Sequence, residues 1–167
     1  EPLGKGGAVW RGLNQSYGRL LVFVDADNMV RAPEAKKLVD ALASHDVAIA
    51  DRFTGEQTNG RQPALRRLIS LGSRIWVRRF LGLPYSDTQC GAKAFQATAW
   101  RAIAPRIEER GWAFDLDALA QAMRLNLSVA EVPVKWQHIV EGSKVQPWRD
   151  VPATLWATFR IKNRARR

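Results

Sequence analysis

Two acids one residue apart, Asp25 and Asp27, close the apolar run Leu20-Leu21-Val22-Phe23-Val24. Consecutive apolar residues without polar alternation read as a strand covered on both faces, as in a parallel sheet flanked by helices. Such sheets bind ligands beyond the carboxyl ends of their strands. If the chain turns after Val24, both carboxylates can face one ligand, and two hard oxygen donors suit Mg²⁺ or Mn²⁺ carrying a diphosphate. A plain polar turn would place the same two residues there without a metal.

Other residues could complete such a site. A second apolar run, Val47-Ala48-Ile49-Ala50, ends at Asp51-Arg52, and Arg52 would set a fixed positive charge at the same sheet edge, or form a salt bridge with Asp51 or Glu56. Lys5 lies in Gly4-Lys5-Gly6-Gly7, where a glycine-rich helix start can approach an anion through its N–H groups or serve as a flexible turn. That segment lacks the Ser or Thr of a P-loop, which excludes an ordinary nucleoside triphosphatase. Arg66 and Ser70 stand four apart, off the apolar stripe of Leu65, Leu68, Ile69, Ile75, Trp76 and Phe80. This spacing lets a guanidinium and a hydroxyl grip one phosphate, although an exposed basic helix has the same pattern.

Asp87, Gln89 and Gly91 fall in the polar stretch Ser86-Asp87-Thr88-Gln89-Cys90-Gly91, which could hold a reacting group or form an Asx turn. Cys90 has no base beside it in sequence, which argues against a thiolate nucleophile. Trp112 and Phe114 precede a helical pattern and could wall a pocket for a sugar or lipid. Asp115 and Asp117 suit the first turn of that helix.

The elements that must position these groups alternate strand and helix. Pro33 opens a helix through Ala43 with Leu38, Val39 and Leu42 at helical spacing, and Val47–Ala50 returns as a strand. Thr54 to Gln62 reads as a loop over a binding site, Pro63 leads a long helix, and Ala92 to Phe95 is a short apolar segment. Ser128 to Val134 is a strand whose Pro133 implies an edge or irregular end. The pattern is an α/β domain with a mostly parallel sheet. The chain divides into residues 1–147, one domain, and residues 148–167, an amphipathic basic helix.

With 167 residues and 46% hydrophobic content, one sizeable core is possible. No stretch reaches the roughly 20 apolar residues of a membrane-spanning helix, and the lone Cys90 excludes an internal disulfide, so cytoplasmic exposure is expected. A net charge of +10 favours phosphate-bearing partners. Five of the last eight residues are basic (Arg160, Lys162, Arg164, Arg166, Arg167), behind Leu155, Trp156 and Phe159. That order suits an interfacial helix at an anionic membrane surface. The same charge with seven tryptophans raises a nucleic-acid-binding module as an alternative. No nucleic-acid motif is visible, and Trp76, Trp112 and Trp136 sit in core-like patterns, so no nucleic-acid partner is expected.

Taken in order, Gly-Lys-Gly-x-Ala, Val-Asp-Ala-Asp, Arg52, Arg66 with Ser70, Asp87-Thr88-Gln89-Cys90-Gly91, Trp112-Ala113-Phe114-Asp115 and Gly142-Ser143-Lys144 resemble inverting nucleotide-sugar glycosyltransferases of the GT-A fold. The likeness runs from Gly4 to about Lys144 and is greatest to the dolichyl-phosphate β-glucosyltransferases and their bacterial polyprenyl-phosphate relatives. It implies transfer of a hexose, with UDP-glucose the favoured donor, to a polyprenyl phosphate at the inner face of the membrane. It implies that Asp25 and Asp27 hold the divalent ion, and that Lys5, Arg52, Arg66, Ser70, Ser143 and Lys144 bind phosphate. Asp87 and Gln89 would be the catalytic residues on the acceptor side, with Trp112 and Asp115 in the acceptor pocket. Mannosyl-transferring relatives carry an Arg five residues before the serine of the last loop; here His138 stands there. The family also opens with two strands that hold the nucleotide base, so the GT-A domain is expected to lack its first N-terminal strands. An inactive fragment of such an enzyme is a further alternative.

Arg66→Ala and Ser70→Ala are expected to slow transfer without unfolding the protein. Loss of one charge-assisted contact costs about 1.5–3 kcal/mol, roughly ten- to a hundredfold in rate when the contact is made in the transition state. Unchanged turnover in both variants removes the pair from the site.

Overall fold

The structure, a computed structural model, describes residues 4–55, 57–58, 64–137 and 147–164, with side chains described at 4–55, 71–136 and 151–164. In chain order the elements are α1 (Gly4–Asn14), β1 (Leu20–Val24), α2 (Ala32–Ala41), β2 (Val47–Asp51), β3 (Gln57–Thr58), α3 (Ala64–Leu81), β4 (Ala92–Gln96), α4 (Ala97–Ile103), α5 (Phe114–Arg124), β5 (Val129–Pro133), β6 (Trp136–Gln137) and α6 (Pro147–Arg164). Four strands form one sheet in the order β1-β4-β2-β5, and β3 pairs with β6 in a separate two-stranded ladder.

Within the large sheet β2 and β5 are parallel, while β4 runs antiparallel to both β1 and β2. Strands β1, β2 and β5 therefore share one direction, and β4 alone opposes it. The α/β character stands, with a mixed sheet. Side-chain alternation splits the core into two layers. Val47, Ile49 and Phe95 pack on one face with Trp100, Leu116 and Leu119. Ala48, Ala50, Ala92 and Ala94 pack on the other with Leu38, Leu42 and Trp136.

The expectation that the first apolar run is covered on both faces is corrected. Strand β1 has one paired edge among the described strands, and Leu20, Val22 and Val24 are exposed while Leu21 is buried. Full burial belongs instead to β2, whose five residues are all buried, and to most of β4. The exposed face of β1 and the helix α2 border an open groove of about 560 Å³ lined by Val22, Val24, Val30 and Val39, with Asp25 at its rim.

Two further local readings resolve. Of the alternatives for Gly4–Gly7 the helix start holds, since the segment is the first turn of α1. A side chain at Gly6 would overlap the Cβ of Phe114 and come within 2.8 Å of the Arg110 carbonyl, so glycine lets α1 lie on the 110–114 turn, where the Gly7 N–H donates to Arg110 O at 2.7 Å. Phe114 is a core residue, 1% exposed, and not a pocket wall.

Helix α6 docks on the body through charge as well as rings. Trp76 Nε1 donates to Thr158 Oγ1 at 3.1 Å, and Arg160 makes two hydrogen bonds to Glu109 at 2.8 and 2.7 Å. Arg164 reaches Glu108 at 2.9 Å and the fully buried Asp117 at 3.2 Å. Arg160 and Arg164, read in the sequence as lipid-facing cations, thus bind the protein's own carboxylates. Arg166 and Arg167 lie outside the described residues.

Asp117 also accepts the backbone N–H groups of Glu108 and Glu109 and the amide of Gln121, at 2.9, 3.1 and 2.9 Å. Replacing it by Ala strands these donors and a partly buried guanidinium. Asp117→Ala is expected to lose about 3–5 kcal/mol of stability in urea unfolding, and Asp117→Asn less, because an amide oxygen still accepts. A loss under about 1 kcal/mol for Asp117→Ala would show that Asp117 does not help hold α6, leaving the rings and the Arg160–Glu109 pair.

Candidate active site at the carboxyl edge of the sheet

The reversed direction of β4 decides which groups meet. A strand antiparallel to β1 and β2 begins at the edge where those two end, so residues 87–91 arrive beside Asp25 and Arg52. Val24 pairs with Ala92, and the next backbone contact is the Asp25 N–H donating to Gly91 O at 2.7 Å. A Cβ on Gly91 would fall on the Asp25 carboxylate. Glycine is required there for the acid to sit against the start of β4.

Asp25 Oδ2 accepts a hydrogen bond from Lys5 Nζ at 2.8 Å, and that ammonium lies 5.5 Å from the centre of the Trp112 ring. Burial alone would lower the Lys5 pKa, but the nearby Asp115 and Asp25 carboxylates raise it, so Lys5 stays protonated across the neutral range. Asp27 is exposed, with Oδ1 accepting the Met29 N–H at 3.0 Å in an Asx turn, and Asn28 takes a left-handed φ of 56°. Both the turn and the metal readings are compatible with that geometry, since Asp27 is exposed and its Oδ2 makes no hydrogen bond among the described residues.

Arg52 is oriented from below. Asp51 accepts the N–H groups of Phe53 and Thr54 and the Thr54 hydroxyl, which turns the chain so that Arg52 points back over the sheet edge. Its Nε and Nη2 donate to the two oxygens of Asp87 at 2.6 and 2.9 Å. This bidentate pair takes the place of the expected salt bridge to Asp51; Glu56, the other expected partner, lies outside the described residues. Burial opposes the Arg52 charge, but the Asp87 hydrogen bonds and charge outweigh it and hold the pKa above its ordinary value. Asp87 is 2% exposed, and Gln89 is half-buried beside it.

Two residues escaped the sequence reading. Arg74 lines a small polar cleft with Arg52, Asp87, Thr88 and Gln89, and its guanidinium stacks 4.0 Å from the Phe53 ring centre while its buried Nε has no hydrogen-bond partner among the described residues. It stands four residues after Ser70, so extending the Arg66–Ser70 spacing by one turn would have found it. Lys93 is fully buried in the middle of β4, with Nζ 2.7 Å from Asp115 Oδ1 and 2.8 Å from the Cys90 carbonyl. Ala92 to Phe95 is therefore not a purely apolar segment, and Lys93 could have been noticed as a cation in it.

Asp115, 3% exposed, lies beneath the edge against Lys93 rather than on an open pocket wall. Trp112 is 38% exposed and meets Lys5, not the core. Cys90 is buried, which raises its thiol pKa to about 11 and leaves it no nucleophile at neutral pH. Arg66 and Ser70 are on α3, but their side chains, like all of Ser143, Lys144 and His138, lie outside the described residues.

Among the described residues no three His, Cys, Asp or Glu side chains converge as a metal cage. Two carboxylates at an open edge fit an ion that takes its remaining ligands from a diphosphate and water, as Mg²⁺ commonly does. That donor set, together with the cation already drawn to Asp25 Oδ2, is compatible with a divalent ion at Asp25 and Asp27.

Residues 1–102 match glycosyl transferase family 2. The chain belongs to this family. Among its curated relatives, the chain is 33% identical over 152 residues to dolichyl-phosphate beta-glucosyltransferase of Dictyostelium discoideum, covering 87% of this chain and 46% of that protein. The Saccharomyces cerevisiae protein of the same name is 32% identical over 156 residues, covering 85% and 46%. Glycosyltransferase AglD of Haloferax volcanii is 34% identical over 139 residues, covering 82% and 22%. The chain thus spans about half the length of the dolichyl-phosphate beta-glucosyltransferases it matches. Glucosyl-3-phosphoglycerate synthase from Mycobacterium tuberculosis, solved with Mn²⁺, uridine-diphosphate-glucose and phosphoglyceric acid, superposes with a TM-score of 0.62 at 20% identity over 95% of this chain and 53% of that one. The fold is the GT-A fold.

Gly91→Ala is expected to push the Asp25 carboxylate away and weaken Mn²⁺ binding more than tenfold, with the helix content unchanged by circular dichroism. Gly12→Ala, where an added Cβ meets nothing within 4 Å, serves as the control and should leave binding unaltered. Equal Mn²⁺ affinity in Gly91→Ala and wild type would separate Asp25 from the metal.

Proposed function

We propose that the protein carrying this chain moves a hexose, with glucose from UDP-glucose favoured, onto a polyprenyl or dolichyl phosphate with inversion at the sugar. The observation that carries this reading is the convergence of Asp25, Lys5, Arg52 and Asp87 at one sheet edge, held by the Gly91 contact. Family membership and the dolichyl-phosphate beta-glucosyltransferase relatives support the acceptor class, and the neighbour bound to uridine-diphosphate-glucose and Mn²⁺ supports the donor and ion. His138 in place of Arg disfavours mannose.

In this reading Asp25 and Asp27 hold Mg²⁺ or Mn²⁺, which when bound offsets the charge on the departing diphosphate. Lys5, released from Asp25 toward the diphosphate, and Arg52 add fixed positive charge, with Arg66, Ser70, Ser143 and Lys144 assigned to further phosphate contacts. Asp87 and Gln89 line the acceptor side, where Asp87 also fixes the Arg52 guanidinium. Trp112 borders the sugar beside Lys5, and Asp115 supplies the negative charge beneath that keeps both cations in place.

The acceptor phosphate needs no strong base. A phosphate monoester has its second pKa near 6 and is mostly a dianion at pH 7, so its oxygen attacks the anomeric carbon as the bond to the nucleoside diphosphate breaks. What remains for the protein is to align two anions that repel each other and to stabilise the leaving one. An edge carrying Lys5, Arg52 and Arg74 meets that requirement. In this reading the enzyme works where its lipid acceptor lies, bound peripherally at the cytoplasmic face of the membrane.

The test is calorimetric titration of UDP-glucose into the full-length protein with Mn²⁺ present. Asp27→Asn is expected to remove most of the binding, and chelation of the metal to do the same to wild type. Equal affinity with chelator would reject the metal role, and absence of glucosyl transfer to a detergent-solubilised polyprenyl phosphate would reject the acceptor.

A further inference from the structure

Helices α3 and α6 form one layer whose inner side is buried and whose outer side is apolar and basic. On the inner side Val77, Ala157 and Ile161 are at most 5% exposed. On the outer side Leu71, Ile75, Leu155, Trp156 and Phe159 are 36–65% exposed, with Trp156 the most open. The two halves of this surface are bridged by packed rings: Trp76 stacks on Phe80 at 4.7 Å, and Phe80 and Trp156 tilt against Phe159 at 4.6 and 6.1 Å. Large apolar side chains turned to solvent in register on neighbouring helices mark an interaction surface rather than scattered exposure.

The charge on this layer selects the partner. Helix α3 has five arginines and no acid, and α6 has Asp150 in its first turn as its one acid. Arg78 and Arg79 are exposed at the end of α3, and Lys162 Nζ lies 4.1 Å from the Phe80 ring centre at the junction of the helices. The acids nearest α6, Glu108, Glu109 and Asp117, are occupied by Arg160 and Arg164, so they do not oppose an anionic partner. An exposed tryptophan with aliphatic neighbours, bordered by cations and with no acid on α3 or α6 among the residues whose side chains are described, is the arrangement of an interfacial surface that buries rings among lipid headgroups.

We propose that the outer face of the α3–α6 layer, centred on Ile75, Trp156 and Phe159, docks on an anionic lipid bilayer. The docking rests on the lipid-phosphate reading only in its purpose, since the surface would bind vesicles that contain no acceptor. Helix α3 joins the two roles: Arg74 lines the active-site cleft, and Leu71, Ile75 and Arg79 form a row that starts about 100° further round the same helix. A phosphate presented at the membrane surface would then meet the cleft across the width of one helix. The sequence had placed this role on the basic tail; the structure moves it to helix faces that include α3.

The experiment uses the full-length protein with vesicles of 30% phosphatidylglycerol in phosphatidylcholine, lacking polyprenyl phosphate. Wild type should sediment with these vesicles, with a blue shift of tryptophan emission, and bind pure phosphatidylcholine at least tenfold more weakly. Ile75→Gln/Trp156→Gln should bind the anionic vesicles at least tenfold more weakly, with unchanged circular dichroism and unchanged transfer to detergent-solubilised acceptor. Phe159→Gln offers a second variant should the first fail to fold. Tyr17→Gln, at a 98% exposed site far from this face in sequence, should bind as wild type. Equal vesicle binding by both face variants overturns the proposal. So does a wild type that self-associates through these residues without binding vesicles, or one whose variants lose binding to a duplex oligonucleotide and not to lipid. Failure of transfer in detergent by wild type would instead sink the acceptor reading and leave the docking result standing.

Discussion

One steric constraint organises the functional edge: the backbone of Gly91 must approach Asp25 closely enough that no side chain fits between them. The Asp25 N–H to Gly91 O hydrogen bond continues the β1–β4 ladder one step past the strands, into the segments that carry the chemistry. Because the ladder is antiparallel, this step joins the end of one strand to the beginning of another. A parallel β4 would have carried Asp87 and Gln89 to the opposite edge, and Arg52 would have lost its carboxylate partner. Strand direction is therefore a precondition for the site, and the glycine is what lets the ladder extend into it.

Around that contact the edge is built from cations each matched to a carboxylate: Lys5 with Asp25, Arg52 with Asp87, and Lys93 with Asp115. They grade in burial from Arg52 and Lys5, 26% and 21% exposed, to Lys93, which has no exposure. Buried pairs of this kind contribute little net stability, because desolvation offsets much of the attraction. Their use is positional. Lys93 ties Asp115 under the edge, Asp115 and Asp25 keep Lys5 charged, and Asp87 fixes the direction of Arg52, so positive charge is already in place when an anion arrives. Electrostatic stabilisation of a leaving diphosphate depends on such preorganisation more than on the number of cations.

How much of this was legible follows from range. The Asp pair, Arg52, Asp87 and the Gly91 position could be read because each lies at a strand end, where polarity changes abruptly within two or three residues. Which carboxylate Arg52 would take could not, since Asp87 is 35 residues away and only the sheet order brings it near. Strand β1 was misplaced for a related reason. An all-apolar run reports that a strand has apolar surface on both faces, and Val22 and Val24 do have it, but not whether anything within this chain covers that surface. Lys93 is visible as a cation in an otherwise apolar segment, but what it binds is not, because its partner Asp115 sits on α5.

The basic residues near the end of the chain show why charge density in sequence is a poor guide to a binding surface. Arg160, Lys162 and Arg164 are spaced by two, and on a helix that spacing sends neighbours 200° apart. Arg160 and Arg164, four apart, fall on one side and are drawn to Glu109 and Asp117, whereas Lys162 turns to the Phe80 ring. A run of like charges thus divides into an internal clamp and a contribution to the outer face. The clamp has its own consequence for that face. By tying α6 to α5 and its preceding loop, it fixes Trp156 and Phe159 against Trp76 and Phe80, so the apolar surface is presented on a rigid two-helix layer rather than on a free tail.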